Sequence, residues 1–432
     1  MSGTTRRAVV LGALAAPLLT ACRDTPPEAA PRVRPSPDVR GWTELPAAPI
    51  GAPVLRRGQA GVWTGEQVLV WGGASPRADG CAVAVTADGA AWTPGGADRR
   101  GSWATLAAAP LEPRSGAGFW WTGSSAVVVG GVDPWAECET RPAGRLDVAA
   151  YDPGTGSWLR WPDLPWPAGT VVDASGWTGE ALLVFSVSAG AWTLRPGGAA
   201  WTRLPDPPLA PQGPSSRAWL NGWWTGSEWL LLGAAHDAAP VPVGLALDPA
   251  RPAWRVLDPG PLAGYAVDAV WTGTELLAFD PAAGLSRLDP ATGRWSRGGP
   301  GPLDGLGGRD DGPVLAWTGT ELLVWGGYRA ARDGGGVCMD GNGVDDAAFA
   351  YGGTCNPATG PLAAAHAPAT GAWRSLPDGP WQRRTGSTAV WTGRELFLAG
   401  GVDLEERRAG GTPPFPDRAG HAFAVLDPSA GG

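Results

Sequence analysis

The triplet Trp-Thr-Gly occurs seven times along the 432 residues, opening at Trp63, Trp121, Trp177, Trp224, Trp271, Trp317 and Trp391. A motif recurring at that spacing commits a chain to a repeat architecture before any other feature is weighed. Most copies run on into an acidic residue and an apolar stretch, as in Gly65-Glu66-Gln67-Val68-Leu69-Val70-Trp71 and Gly319-Thr320-Glu321-Leu322-Leu323-Val324-Trp325. Thr-Gly between two apolar runs marks a tight hairpin turn, because glycine adopts positive φ without steric cost. Each copy therefore predicts two antiparallel strands.

A second element lies further along each unit: Tyr151-Asp152-Pro153-Gly154-Thr155-Gly156-Ser157-Trp158, Leu288-Asp289-Pro290-Ala291-Thr292-Gly293-Arg294-Trp295 and Ala369-Thr370-Gly371-Ala372-Trp373. Asp-Pro opens a turn and Gly closes it, so this element is a second hairpin and each unit supplies four strands. Its tryptophan, commonly followed by Leu-Pro, recurs as Trp42, Trp103, Trp158, Trp201, Trp254, Trp295 and Trp373. The two series are out of step at the ends. Trp42 precedes the first Trp-Thr-Gly, and the last unit stops at Leu426-Asp427-Pro428 without its own outer tryptophan. A ring whose leading strand, around residues 41–45, completes the blade begun by residues 375–427 removes both loose ends and leaves no orphan sheet edge. The expected fold is all-β, a seven-bladed β-propeller over residues 41–432 closed by the N-terminal strand in the last blade. Composition agrees: 67 Gly, 45 Pro and 26 Trp against 17% charged residues build short strands and many turns, not helices.

The strand ending in Gly-Gly, the downstream Tyr-Asp-Pro, the tryptophan and the Pro-rich crossing together resemble kelch repeats, of the kind found in galactose-oxidase-like propellers. The resemblance implies a disc with a central channel. It does not imply a reaction, since this fold hosts oxidases, epimerases and pure binding modules.

The first 22 residues read as an export signal: Arg6 and Arg7 precede an apolar run over residues 8–21 that is too short to span a bilayer. Leu19-Thr20-Ala21-Cys22 resembles a bacterial lipobox, which implies lipid on Cys22 and a place on the outer face of the cell membrane. Thr5-Arg6-Arg7 also resembles a twin-arginine signal, so the export route stays open. Residues 23–40, with Pro26, Pro27, Pro31, Pro35 and Pro37, read as an extended tether. Outside the cytosol the four further cysteines suggest disulfides. Three connectivities are open, and Cys338 with Cys355 and Cys81 with Cys138 is the preferred pairing.

Blades differ in an ordered way. Gly-Gly follows the second strand at Gly72-Gly73, Gly130-Gly131, Gly326-Gly327 and Gly400-Gly401, whereas the third, fourth and fifth units read Phe185-Ser186, Gly233-Ala234 and Phe279-Asp280. The four Gly-Gly units are contiguous around a closed ring and carry the long insertions, which predicts one raised crescent of loops. Seven residues before the Trp-Thr-Gly tryptophan stand Arg56, Arg114, Arg217 and Arg384, with Asp310 in the sixth unit. Guanidinium groups around a channel mouth suit a carboxylate or an acidic peptide. The competing reading is that these arginines belong to the repeat and brace neighbouring loops. Most tryptophans recur at fixed repeat positions, which favours packing between blades; Trp135, in an insertion near Asp133, Glu137 and Arg141, is the aromatic candidate for contact with a partner.

Asp340, Asn342, Asp345 and Asp346 alternate with glycines between Cys338 and Cys355, a pattern able to wrap calcium, although a solvated turn reads equally from it. No other cofactor is expected. The copper-radical ligands of galactose oxidases are not matched: only His236, His366 and His421 are present, read as surface or loop residues, and Tyr151 is read as part of a turn. Thr86-Ala87-Asp88-Gly89-Ala90-Ala91-Trp92 resembles a sialidase Asp-box that is one residue short, a turn element and not a catalytic centre. A net charge of −8 gives no electrostatic reason for nucleic-acid binding. No catalytic residue is assigned. The expected function is a monomeric, lipid-anchored extracytoplasmic binding module for a protein or glycan ligand of anionic character. The alternatives are an enzyme acting on a glycan or other carboxylate-bearing substrate at the channel mouth, and a structural lipoprotein without a specific ligand.

Overall fold

Every Trp-Thr-Gly builds the same turn. In the first, Thr64 N–H donates to the Gln67 carbonyl at 2.9 Å, and Thr64 Oγ1 accepts the Gln67 N–H at 2.9 Å. Thr122, Thr178, Thr225, Thr272, Thr318 and Thr392 repeat both bonds. Gly65 stands at φ +99°, with nothing near the place a Cβ would occupy, so backbone conformation and not crowding selects glycine there. Glycine at the first of two loop positions gives the hairpin twist that flanking strands require.

The computed structural model describes residues 40–51, 56, 58–76, 83–133, 143–209, 217–236, 240–258, 260, 268–280, 284–302, 313–326, 363–377, 379, 384–403 and 423–431. They form seven four-stranded antiparallel sheets, with two short ribbons added. The innermost strands, which number the blades from 1 to 7, are Ala60–Trp63, Gly118–Trp121, Ala174–Trp177, Arg217–Trp224, Asp268–Trp271, Val314–Trp317 and Arg384–Trp391. Each contacts the inner strands of the blades before and after it, and the series returns from blade 7 to blade 1. The chain is a closed seven-bladed propeller.

Closure is made by the leading strand. Trp42–Glu44 is the outer strand of blade 7 and pairs with Phe423–Leu426 in the register Trp42↔Leu426, Thr43↔Val425 and Glu44↔Ala424. The core lies between blades: Val68, Val70 and Trp92 of blade 1 pack on Phe397, Ala399, Phe423 and Val425 of blade 7. Because a neighbour covers each side of a blade, second strands such as Val68–Trp71 and Leu322–Trp325 are buried throughout. That is why they read as unbroken apolar runs instead of alternating.

The outer tryptophans fasten each blade to the one before it. Their indole N–H groups donate to carbonyls of the preceding connection: Trp103 to Pro46, Trp158 to Ala107, Trp201 to Pro162, Trp254 to Pro205, Trp295 to Asp258 and, across the closure, Trp42 to Pro377, all between 2.7 and 3.0 Å. Trp373 keeps the position but its N–H has no partner. The tryptophan series is thus structural, as its period implies.

Two expectations are corrected. Tyr151 is not in a turn but in the third strand of blade 2, Val148–Asp152, stacked on Trp158. His366 is neither surface nor loop: it sits in Ala363–Ala367 of blade 6, 2% exposed, against Trp373. Its position is opposite the first residue of the second strand, where blades 4, 5 and 7 place Leu247, Leu288 and Leu426. Burial there, with the Arg287 charge nearby, holds its imidazole below the usual histidine range.

Candidate functional site

Strand order fixes the two faces of the disc. The Trp-Thr-Gly and Asp-Pro turns share one face; the connections from second to third strand and from outer strand to the next blade share the other. Loops of that second face carry any added chain. In blade 1 it forms the ribbon Ala74–Pro76 with Val83–Val85, and in blade 2 the ribbon Val132–Asp133 with Ala143–Gly144. The insertions of blades 6 and 7 lie outside the described residues. The raised rim is wider than the expected crescent, because blade 4, which lacks Gly-Gly, runs its three inner strands to 8, 8 and 9 residues. Four more residues than a four-residue inner strand lift it by about 13 Å.

Of the four arginines, the side chains of Arg56 and Arg114 are described. In blades 1 and 2, Gly58 and Gly116 at φ +58° and +66° turn the chain before the inner strand begins. Arg56 and Arg114 then tuck beneath their own Gly-Gly and are 1% and 0% exposed. Arg56 donates to the Gly72 and Gly51 carbonyls and holds Asp88 through both Nη atoms, at 2.7 and 3.1 Å. Arg114 donates to the Glu112, Gly130 and Asp147 carbonyls and pairs with the Asp147 carboxylate at 2.6 Å. The same joints tie blade to blade, since Gly401 N–H donates to the Arg56 carbonyl and Gly73 N–H to the Arg114 carbonyl, both at 2.9 Å. Such guanidinium groups brace the loop face, and an anion reaches them only by displacing Asp88 or Asp147. Arg217 instead opens a tall inner strand, paired in register with His236, whereas Arg384, in register with Asp403, is followed by Gly386 at φ +65° and so repeats the turn of blades 1 and 2; the side chains of both are outside the described set.

Burial works to raise the Asp88 and Asp147 carboxyls, but hydrogen bonds from Arg56 and Gly51, and from Arg114 and Glu112, outweigh it and hold both below the usual carboxylate range. Sequence reading placed Asp88 only in an Asp-box-like turn, without its ion pair, and passed over Asp147. Their signal is positional: each stands one residue before the third strand of a blade that carries both Gly-Gly and the arginine.

Over blade 2 the connections on either side and the base of the ribbon flank an open cleft of about 650 Å³, lined by Pro110, Glu112, Arg145, Asp147, Arg160 and Gly169 among others. The ribbon is pinned in place by the Arg145–Asp133 ion pair at 2.8 Å and by the bond from Gly144 N–H to the Gly169 carbonyl at 3.2 Å. Arg160 donates to the Pro110 carbonyl and to Asp163, and Arg145 Nε is buried without a partner. Glu112 is exposed. Donors and acceptors thus face one another between short aliphatic walls. Among the described residues, the lining contains no serine, cysteine, histidine, tyrosine or lysine.

The channel wall holds one perturbed acid. Asp268, first residue of the blade 5 inner strand, is pushed up to about 7 by enclosure, against the opposing bonds from the N–H groups of Ala269 and, in blade 6, Leu315. Trp135, Cys22, Cys81, Cys138, Cys338, Cys355, Asp310, Asp340, Asn342, Asp345, Asp346 and His421 lie outside the described residues. Among the described residues no group of three His, Cys, Asp or Glu side chains is placed to hold a metal, and no helix is long and apolar enough to cross a membrane.

No known sequence family matches the chain, and no curated protein is similar to it in sequence. In fold it is similar to a solved structure described as "Structure of YjhT", with 13% sequence identity over 89% of this chain and 95% of that one and a TM-score of 0.46. Propeller architecture here rests on strand order and closure, not on that likeness.

Proposed function

We propose that this chain is a binding module that is exported, lipid-anchored through Cys22 and displayed outside the cell membrane, with its ligand seated on the loop face. The kelch resemblance of the repeats supports that reading. The observation that carries it is the cleft over blade 2: open to solvent, charged and hydrogen-bonding. Such a lining suits recognition of a polar ligand. Trp135, in the sequence between the two strands of the ribbon, and Arg217 and Arg384, at the start of their inner strands, are the further proposed contacts for an anionic protein or glycan ligand.

A panel of uronic-acid oligosaccharides and a poly-glutamate peptide, followed by calorimetry, tests the site. Binding of one probe, weakened tenfold or more by Glu112→Ala and Arg160→Ala but not by Arg195→Ala on the surface of blade 3, is expected. A probe that binds all variants alike places recognition elsewhere. Detergent-phase partitioning of the wild type, lost in Cys22→Ser, is the expected mark of the lipid. Calcium at Asp340, Asn342, Asp345 and Asp346 predicts heat on titration that Asp340→Ala abolishes.

Asp268 favours a second reading. A carboxyl titrating near neutrality in the channel wall suits a general acid or base acting on a carboxylate-bearing substrate at the mouth. Turnover of such a substrate that falls at least a hundredfold in Asp268→Asn would move the function from recognition to catalysis.

A further inference from the structure

On the turn face, two blades brace their successors through an arginine that follows the outer tryptophan. Arg255 of blade 4 pairs with Glu228 at 2.7 Å and donates to the Pro290 carbonyl of blade 5. Arg374 of blade 6 pairs with Glu321 at 2.7 Å and donates to the Pro428 carbonyl of blade 7. The closure, like the junctions after blades 1, 2, 3 and 5, lacks this device, because Trp42 is followed by Thr43. There the leading strand contributes only three paired residues.

The guanidinium comes instead from the opposite side. Arg99, in the blade 1 turn between third and outer strands, reaches back to blade 7. Its Nε meets Glu395 at 3.3 Å, its Nη2 pairs with Asp427, and its Nη1 approaches the Gly41 carbonyl at 3.4 Å. The same carbonyl accepts Asp427 N–H at 3.0 Å, and Asp427 is itself oriented by Ser429 N–H at 2.9 Å. Gly41 is where the chain enters the ring. Arg99 is also the one described residue other than glycine with positive φ, +54°, a region that side-chain-bearing residues seldom occupy. A turn with three glycines among residues 95–101 had glycine to spare for that place, yet an arginine fills it.

We infer that Arg99 is the clasp of the propeller. It supplies a brace at the seam and holds the entry point at Gly41 from the blade 1 side. Its left-handed backbone aims the side chain across the seam. The contact ties three parts of the ring together: the entering strand, the last third strand and the first blade.

Hydrogen exchange followed by mass spectrometry on the full chain tests this. Arg99→Ala is expected to speed exchange of the 42–45 amides tenfold or more while blades 3 to 5 keep their wild-type rates, since only a local opening is eased. Arg99→Gly should show the same local acceleration even though its backbone is relaxed, which separates the side chain from the turn. Arg99→Lys, which keeps charge but loses the fork, should fall between. Unchanged exchange at residues 42–45, or equal acceleration in every blade, overturns the assignment. Should Arg99→Ala not fold, Asp427→Asn and Glu395→Gln each remove one arm, and the absence of any local effect in both overturns it as well.

Discussion

Blades 2 and 5 have the same four strands and finish them in opposite ways. Blade 2 ends its second strand in Gly130-Gly131, buries Arg114 on Asp147 and adds a ribbon. Blade 5 ends in Phe279-Asp280, packs Phe279 into an apolar cluster with Leu285 and Leu315, and meets the next inner strand through one carboxyl, Asp268. One end is a polar joint that supports loops and a cleft; the other is a plain core contact. A single repeat unit therefore supplies either a scaffold or a surface, according to which residues follow the second strand.

Five substitutions sharpen that contrast. The largest effect belongs to Arg114→Ala. It leaves Asp147, 14% exposed, without its counter-ion, and removing one partner of a buried pair costs about 3–5 kcal/mol. Urea unfolding should show that loss, and a change under 1 kcal/mol would mean the joint is dispensable. Next comes Gly73→Ala compared with Gly65→Ala. Both sites have φ near +100°, but only at Gly73 would a Cβ meet the Arg56 Cβ at 2.9 Å. Gly65→Ala should cost about 1 kcal/mol through conformation alone, and Gly73→Ala about 1–3 kcal/mol more through overpacking.

Blade 5 answers to pH. The folded Asp268 carboxyl titrates at about 7 against 3.8 for a free aspartate. Below 3.8 both states are protonated and nothing is lost; as pH rises from there through about 7, the unfolded chain releases its proton first and stability falls. Asp268→Asn should flatten that decline and melt a few degrees above wild type at pH 8. An identical slope in both proteins would show that the acid is not enclosed in solution. The smallest effect is expected at Arg195, whose pair with Glu180 is 73% exposed on both sides. Arg195→Ala should stay within about 0.5 kcal/mol of wild type.

Much of this was readable in the chain. Sevenfold recurrence of Trp-Thr-Gly between apolar runs gave the hairpins, and the offset between Trp42 and the truncated last unit gave the closure, because a repeat with unmatched ends is a local signal with one cyclic solution. The loop face was less legible. Arg56 and Arg217 hold the same place before their tryptophans, yet Gly58 turns one chain inward and blade 4 runs straight on through the other. Glycine two residues after the arginine, at Gly58, Gly116 and Gly386 but replaced by Trp219 in blade 4, marks that choice. The pairings of Arg56 with Asp88 and Arg114 with Asp147 were overlooked because each joins residues some thirty positions apart, although the pattern repeats from blade 1 to blade 2. Nor does the motif reveal that His366 has taken a leucine's place in the core.

Ring closure by the leading strand is tested most directly by truncation. Chains beginning at residue 40 and at residue 45 can be compared by urea unfolding with tryptophan fluorescence. The longer chain should unfold in one cooperative transition. The shorter, with the edge of Phe423–Leu426 uncovered and Trp42 gone, should lose at least a quarter of its midpoint denaturant concentration or split into two transitions. Identical curves for the two chains would contradict a propeller held shut by its first strand.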